Sequence, residues 1–450
     1  MAETGTKHSP VHYVKIDKDR CNGCVLCMKV CPKKAIRVEG GRAAKIKGVC
    51  IDCGECIRAC PRSAIRAHTT EGFDIDRSSI ILSISPVLYT QFGPDVSPSE
   101  IIAALKQLGF CAVYDQSSAH ELFNLAVSQY LRETRGDPHV PRPLISSVCP
   151  VVVRLIADRF PSLLANIPPI MPPRELVARH AKDLADKLGR DIQKKSRIYH
   201  VTPCAAKMIS IYDPLVVGTS ALDGAIGISA VYHDVVKNLQ AAGKPMRPRS
   251  TKSIIWCMSG GEIAGMARGN YLAVSGMQET IRYLQKIEMG MLGDIEYVEF
   301  RTCPEGCIGG PLTVCDKYQA KYTIQHFLKT YGPSRTIKHQ ANRTIKSFIK
   351  PFGPERTIKC GYMKQLYLKR GYFTDQKPWP PVSKASGVPF AEAIKRQKQV
   401  EEIYQKLPGK ECGACGSPDC YTFAEDVADG KAALQLCVFL PAGRTQGGKL

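Results

Sequence analysis

The residues best suited to chemistry in this 450-residue chain are its twenty cysteines, eight of them at C-x-x-C spacing. One stretch organises the rest: Glu299-Phe-Arg-Thr-Cys303-Pro-Glu-Gly-Cys307-Ile-Gly-Gly-Pro311. It follows an apolar run, Ile295 to Phe300, that reads as a buried strand. Two thiols therefore sit just past a strand end. Four residues apart, they would be turned to one side by a single helical turn, and the glycines let the backbone approach a bulky inorganic group. That is a cluster-ligand arrangement. The alternative for this loop alone is a pair of buried structural cysteines in a Gly-Pro turn.

Residues 1–75 contain an internal repeat: Cys21, Cys24, Cys27 and Cys31-Pro32 recur as Cys50, Cys53, Cys56 and Cys60-Pro61, and Ala35-Ile36-Arg37 recurs as Ala64-Ile65-Arg66. Three closely spaced thiolates cap one face of a 4Fe-4S cubane, while the fourth of each run reaches across a pseudo-twofold to the other cluster. The spacing assigns Cys21, Cys24, Cys27 and Cys60 to one cluster, and Cys50, Cys53, Cys56 and Cys31 to the other. Zinc sites do not favour a doubled triad with a swapped fourth ligand. A third group, Cys412, Cys415, Cys420 and Cys437, lies in residues 406–440 beside Ala414, Tyr421, Phe423 and Ala424. A zinc ribbon would want a second C-x-x-C, so another 4Fe-4S cluster is expected.

Around these sites the chain reads as five segments: 1–75, 76–320, a basic connecting segment 321–405, 406–440 and a tail 441–450. In the second, apolar strand-like runs alternate with helical ones, which argues an α/β domain with mainly parallel strands. Strands are expected at Ser79–Ser85, Ile198–Val201, Ile254–Trp256 and Ile295–Phe300, with helices at Ala119–Glu133 and Arg174–Lys187. Sites in such sheets form at the carboxyl ends of strands, where Cys204, Cys303 and Cys307 fall. Cys149 lies in a turn before an apolar helix, so four cysteines from three loops could converge. The Ser259-Gly260-Gly261 turn matches neither a dinucleotide fingerprint nor a Walker A loop and reads as helix-start packing. The histidines read as solvated or core residues. Cys111, Cys257, Cys315 and Cys360 read as buried thiols.

No run approaches a membrane span, and the N-terminus lacks the apolar core of a secretory signal, so the expected location is the cytoplasm. The formal charge of +21 falls to about +13 if sixteen cysteines are thiolates on four cubanes. A basic protein suits an acidic redox protein or a separate signalling partner and does not require nucleic acid. Arg335-Thr-Ile-Lys338, Arg343-Thr-Ile-Lys346 and Arg356-Thr-Ile-Lys359 read as a solvated basic linker, and Trp379 among prolines as an extended crossing segment. Nothing in the sequence fixes an oligomeric state.

On these motifs residues 76–320 resemble the large-subunit domain of iron-iron hydrogenases. Family members carry a Thr-Ser-Cys-Cys-Pro loop, a Met/Thr-Pro-Cys-x-x-Lys loop and a Glu-x-Met-x-Cys-x-x-x-Cys-x-x-Gly-Gly loop; here these read Ser146–Pro150, Thr202–Lys207 and Glu299–Gly310. The resemblance implies that Cys149, Cys204, Cys303 and Cys307 hold a cubane, that Cys307 also bridges to a di-iron subsite with CO and CN ligands, and that Lys207 contacts one cyanide. Residues 1–75 resemble bacterial two-cluster ferredoxins, and 407–437 the extra Fe-S domain of regulatory hydrogenase-like and corrinoid Fe-S proteins. The expected fold is thus an α/β hydrogenase-like core, an α+β ferredoxin domain and a small helical Fe-S module, with four 4Fe-4S clusters in all.

The departures bear on function. Where catalytic members have a second cysteine that passes protons, this chain has Val148; the next relay carboxylate is matched by Ser210, and the methionine two before the third ligand by Arg301. The first expectation is therefore a regulatory or sensory hydrogenase-like protein responding to hydrogen or electron pressure. The second is a non-catalytic electron-transfer subunit holding cubanes only, with Arg301 filling the pocket. The third is a slow genuine hydrogenase joining two protons and two electrons.

Overall fold

The N-terminal repeat is written into the backbone as well as the cysteines. Left-handed φ values recur at matched positions: Gly23 (72°) and Asp52 (51°), Val25 (59°) and Gly54 (79°), Lys34 (49°) and Ser63 (47°). Each half thus turns sharply around its cysteine run, even where Val25 must adopt a conformation costly for a β-branched residue. The computed structural model describes residues 12–46, 48–70, 76–188, 197–239, 251–331, 361–374 and 389–440. Cys360, Trp379, the three Arg-Thr-Ile-Lys repeats and the tail 441–450 lie outside them.

Strand β1 (Val14–Ile16) is followed by helix α1 (Leu26–Lys29), a hairpin of β2 (Ile36–Glu39) and β3 (Arg42–Lys45), helix α2 (Glu55–Ala59) and β4 (Ile65–Ala67), which pairs antiparallel with β1. Gly40 and Gly41 supply the positive φ values that the two-residue hairpin turn demands. The C-terminal module joins this unit, although the sequence reading treats it separately: residues 1–67 and 383–450 form one compact unit, and residues 68–382 another. Helices Phe390–Gln405 and Cys420–Ala428 pack around Val400, Phe423 and Ala424. Asp419 caps the second helix by accepting from the Thr422 N–H at 2.7 Å.

In the other unit two parallel sheets carry the loops of interest. The first has the order β6 (Ala112–Asp115), β5 (Ile80–Ile84), β8 (Arg197–Thr202) and β9 (Gly224–Gly227); the second has β10 (Tyr271–Ser275), β11 (Tyr297–Arg301) and β7 (Leu144–Ile145). Every residue of β5 and β11 is buried, as expected of parallel strands covered on both faces. Helices Ser117–Glu133 and Pro173–Leu188 match their expected positions.

Two expectations are corrected. Ile254–Trp256 is not a strand: Ile254 and Ile255 end the helix Thr251–Ile255 and Trp256 begins a turn, because a three-residue apolar run carries no period to separate strand from helix. The boundary at residue 320 cuts the helix Lys317–Tyr331, whose Ala320, Ile324 and Phe327 are core residues while its charges face outward. Met363 and Tyr372, also within the expected linker, are buried in the second core cluster. Among the described residues no helix is long and apolar enough to cross a membrane.

Candidate functional site

The N-terminal cysteines gather in two sets. Cys21, Cys24, Cys27 and Cys60 line one cavity of about 320 Å³, part of it open to solvent, together with Val38, Ala43 and Ala64. Burial, and then Cys21, Cys24 and Cys60, push the Cys27 thiol up to about 11. Cys31 is an electrostatic neighbour of Cys50, Cys53 and Cys56. Burial raises Cys56 first, then Cys50 and Cys31; burial raises Cys53, then Cys56 and Cys31. Burial, followed by Asp52, pushes Cys50 up to about 12. Crowded, buried thiols give up their protons readily only to a cationic centre, so the donor sets fit iron-sulfur clusters. In the C-terminal module Cys412, Cys415, Cys420 and Cys437 line a further cavity of about 320 Å³ with Leu407, Phe423 and Phe439.

In the central unit the carboxyl ends of β5, β6, β7, β8 and β11 all supply residues to one region, as parallel sheets do. Cys149 and Cys307 are electrostatic neighbours of Cys204, whose thiol burial pushes up to about 11 against the opposing charge of Lys207. The Thr302 hydroxyl lies 3.7 Å from Cys149 Sγ, which brings the start of the Cys303 turn to the same place. Cys303 and Cys307 do not share a helical turn. Glu305 (φ 62°) and Gly306 (φ 98°) reverse the chain between them, and a Cβ on Gly306 would meet the backbone of Met258 and Ser259 at 2.5–2.6 Å.

Beside these thiols lies a cavity of about 390 Å³, partly open to solvent, walled by Val148, Lys207, Cys307 and Arg301. Arg301 does not fill it. Its guanidinium is drawn to Glu262 at 2.7 Å and stands 3.5 Å from Glu299. Burial works against the Arg301 charge, but Glu299 and Glu262 outweigh it and hold the proton. Tyr297 and Ser146 donate to the two oxygens of Glu262, closing the network.

Sequence reasoning missed several cavity residues, since nothing in their spacing marks them: Arg174, Gln116, Trp256, Cys257, His120 and His200. Both histidines are buried, as core residues that also face the cavity. His200 Nδ1 lies 3.0 Å from the Ser83 carbonyl and 3.2 Å from Gln116 Nε2. His120 is stacked on Trp256 at 4.2 Å, and burial, then Arg301 and Lys207, pull it down to about 3. Among the described residues His200 Nε2, Trp256 Nε1, Arg174 Nε and Arg301 Nε have no hydrogen-bond partner. Cys257 is buried and donates its S–H to the Ile254 carbonyl at 2.8 Å. Cys111, expected to be buried, is exposed in the bend before β6, and Cys315 is half-buried. Ser210 is buried, its hydroxyl spent on the Lys207 carbonyl of its own helix at 2.8 Å.

Comparison with known proteins finds iron-sulfur and hydrogenase relatives. Residues 78–227 match the family described as iron only hydrogenase large subunit, C-terminal domain. Residues 13–61 match a 4Fe-4S dicluster domain, and 407–439 a putative Fe-S cluster domain. The central domain is hydrogenase-like over residues 78–227, and the chain is an iron-sulfur protein. The chain is 25% identical to the NADP-reducing hydrogenase subunit HndD of Solidesulfovibrio fructosivorans, covering 51% of this chain and 49% of that one. It is 26% identical to iron hydrogenase 1 of Clostridium pasteurianum, covering 50% and 38%. A 39-residue stretch, 9% of each chain, is 51% identical to the corrinoid/iron-sulfur protein large subunit of Moorella thermoacetica. The chain thus spans about half the length, or less, of the relatives it matches. Among solved structures, a variant of the [FeFe]-hydrogenase HydA1 from Chlamydomonas reinhardtii aligns with a TM-score of 0.44 at 16% identity, covering 63% of this chain and 92% of that one.

Proposed function

We propose that this protein is a multi-cluster iron-sulfur redox protein that responds to hydrogen or electron pressure and turns hydrogen over slowly. Its sites would hold four 4Fe-4S clusters, on Cys21/Cys24/Cys27/Cys60, Cys31/Cys50/Cys53/Cys56, Cys149/Cys204/Cys303/Cys307 and Cys412/Cys415/Cys420/Cys437. A di-iron subsite would occupy the cavity beside Cys307. The observation that carries this reading is the make-up of the cavity wall, with Lys207 and Cys307 on it and Val148 where the family passes protons.

The donor set supports the fit. Arg174 Nε, Arg301 Nε and Trp256 Nε1 are buried N–H donors without hydrogen-bond partners, on residues that wall a space also lined by Lys207. Buried donors left unpaired are costly, so the wall suits a group that presents several acceptor ends. When bound, a di-iron subsite supplies the iron at which hydrogen is split or formed. The chain's own residues then limit the rate. Val148 has no exchangeable proton, and the Ser210 hydroxyl, spent on its own helix, is no acid near neutral pH. With proton transfer impaired and electron sites abundant, the redox state of the clusters becomes the readout. It would pass to a separate signalling protein or an acidic redox protein in the cytoplasm.

The test is an infrared spectrum of protein produced anaerobically with hydrogenase maturation factors, in the window where iron-bound CO and CN absorb. Bands there, with slow hydrogen uptake, are expected. Their absence while all four clusters' iron is retained would overturn the di-iron reading and leave an electron-transfer protein. Fast turnover would overturn the regulatory one.

A further inference from the structure

The two halves of the N-terminal repeat differ in what covers them. Arg37 and Arg66 occupy matched positions, yet Arg66 is exposed, whereas Arg37 makes a two-pronged ion pair with Asp426 of the C-terminal module: Nε to Oδ2 at 2.6 Å and Nη2 to Oδ1 at 3.0 Å. The pair is nearly buried, with the side chains 12% and 9% exposed. Asp426 also accepts from the Ser417 hydroxyl at 2.7 Å. Forked, charge-assisted bonds of this kind fix orientation as well as proximity.

Two further bridges tie the ligand loops of the module to the wall of the first cluster site. Lys29, two residues past Cys27 on α1, donates to the carbonyls of Glu411 and of Pro418, the latter at 2.7 Å. Glu411 adjoins Cys412, and Pro418 stands two before Cys420. The Val38 N–H donates to the Gly416 carbonyl at 2.9 Å; Val38 lines the first cluster cavity and Gly416 follows Cys415. The loops also touch. A Cβ on Gly413 would lie 3.0 Å from Met28 Cε and Lys29 Cε, and one on Gly416 only 2.2 Å from the Val38 carbonyl oxygen.

We infer that the C-terminal cluster is the outer station of an electron wire whose next station is the cluster of Cys21, Cys24, Cys27 and Cys60, joined through α1 and β2. The inference rests on the reading of both sites as 4Fe-4S sites. Cys412 is exposed while Cys420 and Cys437 are buried, so the module meets solvent at its Cys412 end. An external low-potential one-electron carrier supplies the electron. In the internal step the C-terminal cluster passes from its reduced to its oxidised state and the first cluster from oxidised to reduced; no bond or proton moves. The second cluster receives the electron only after the first.

The experiment is electron paramagnetic resonance on the full-length, dithionite-reduced protein, with iron analysis of every sample. Wild-type protein is expected to show magnetic interaction between the two reduced clusters, as split or broadened, fast-relaxing signals. Asp426→Arg and, separately, Gly416→Ala should convert these to independent signals with iron unchanged, and Arg37→Asp combined with Asp426→Arg should restore the interaction. Independent signals in wild-type protein with full iron content, or interaction that persists in both single variants, would overturn the wire while leaving the cluster assignment intact. Iron content unaltered by Cys412→Ser with Cys415→Ser would overturn the C-terminal cluster itself.

Discussion

The Arg301 guanidinium lies 2.7 Å from Glu262 Oε2 and 3.5 Å from Glu299 Oε1, and all three side chains are at most 1% exposed. One cation therefore answers two buried carboxylates. Glu299 is further steadied by accepting the backbone N–H groups of Glu262 and Ile263 at 3.1 and 3.2 Å. The arrangement keeps a charge at the cavity wall.

Removing the cation from this network leaves uncompensated buried charge. Arg301→Met is expected to destabilise the central domain by about 3–5 kcal/mol. Adding Glu262→Gln and Glu299→Gln to that variant should recover most of the loss. Urea unfolding of the three proteins at neutral pH checks this.

Stability should also depend on pH through Glu299. Burial first, and then Glu262, push its carboxyl up to about 7, against the opposing pull of Arg301. The folded pKa exceeds the unfolded one, so the folded state binds more protons between them. Stability should fall as pH rises from about 4.5, the ordinary value, to about 7. Glu299→Gln, which keeps a carbonyl acceptor, should flatten that dependence in denaturation midpoints measured across the window.

If the missing proton path limits turnover, restoring it should raise the rate. Val148→Cys combined with Ser210→Glu is expected to increase hydrogen uptake by about 100-fold or more, the usual contribution of positioned acid-base groups. Neither single variant should do so. A uniform rate across all four proteins would count against proton transfer as the limit.

Cys257 offers a different check on the cavity. Its thiol is buried beside Cys307 and is pushed up by burial first and then by Cys307, so it is a protonated wall residue. Cys257→Ala should leave iron content unchanged, cost about 1 kcal/mol as a small apolar truncation, and shift the infrared bands of the loaded protein. A loss of one cluster's iron would instead make it a ligand.

Much of this was legible in the sequence because its signals are local. The doubled cysteine run placed two cluster sites, and the strands at Ile80–Ile84, Arg197–Thr202 and Tyr297–Arg301 were visible as apolar runs ending at cysteine or proline. β9, Gly224–Gly227, was not, because two glycines hide a strand that its parallel pairing with β8 imposes. The partners of Arg301 were equally hidden, since Glu262 sits in a loop whose position only the tertiary fold decides. The docking of the C-terminal module onto α1 and β2 depends on side-chain geometry between segments far apart in the chain, which no periodicity encodes.

That separation has a consequence for how the protein is made. Arg37 and Asp426 are 389 residues apart. At the usual pace of synthesis the ribosome needs roughly 20–80 s to supply Asp426 after Arg37 has emerged. During that interval α1 and β2 stand without the module that covers them. The first cluster site is thus open to whatever loads its iron before the end of the chain arrives to cover its α1 and β2 side.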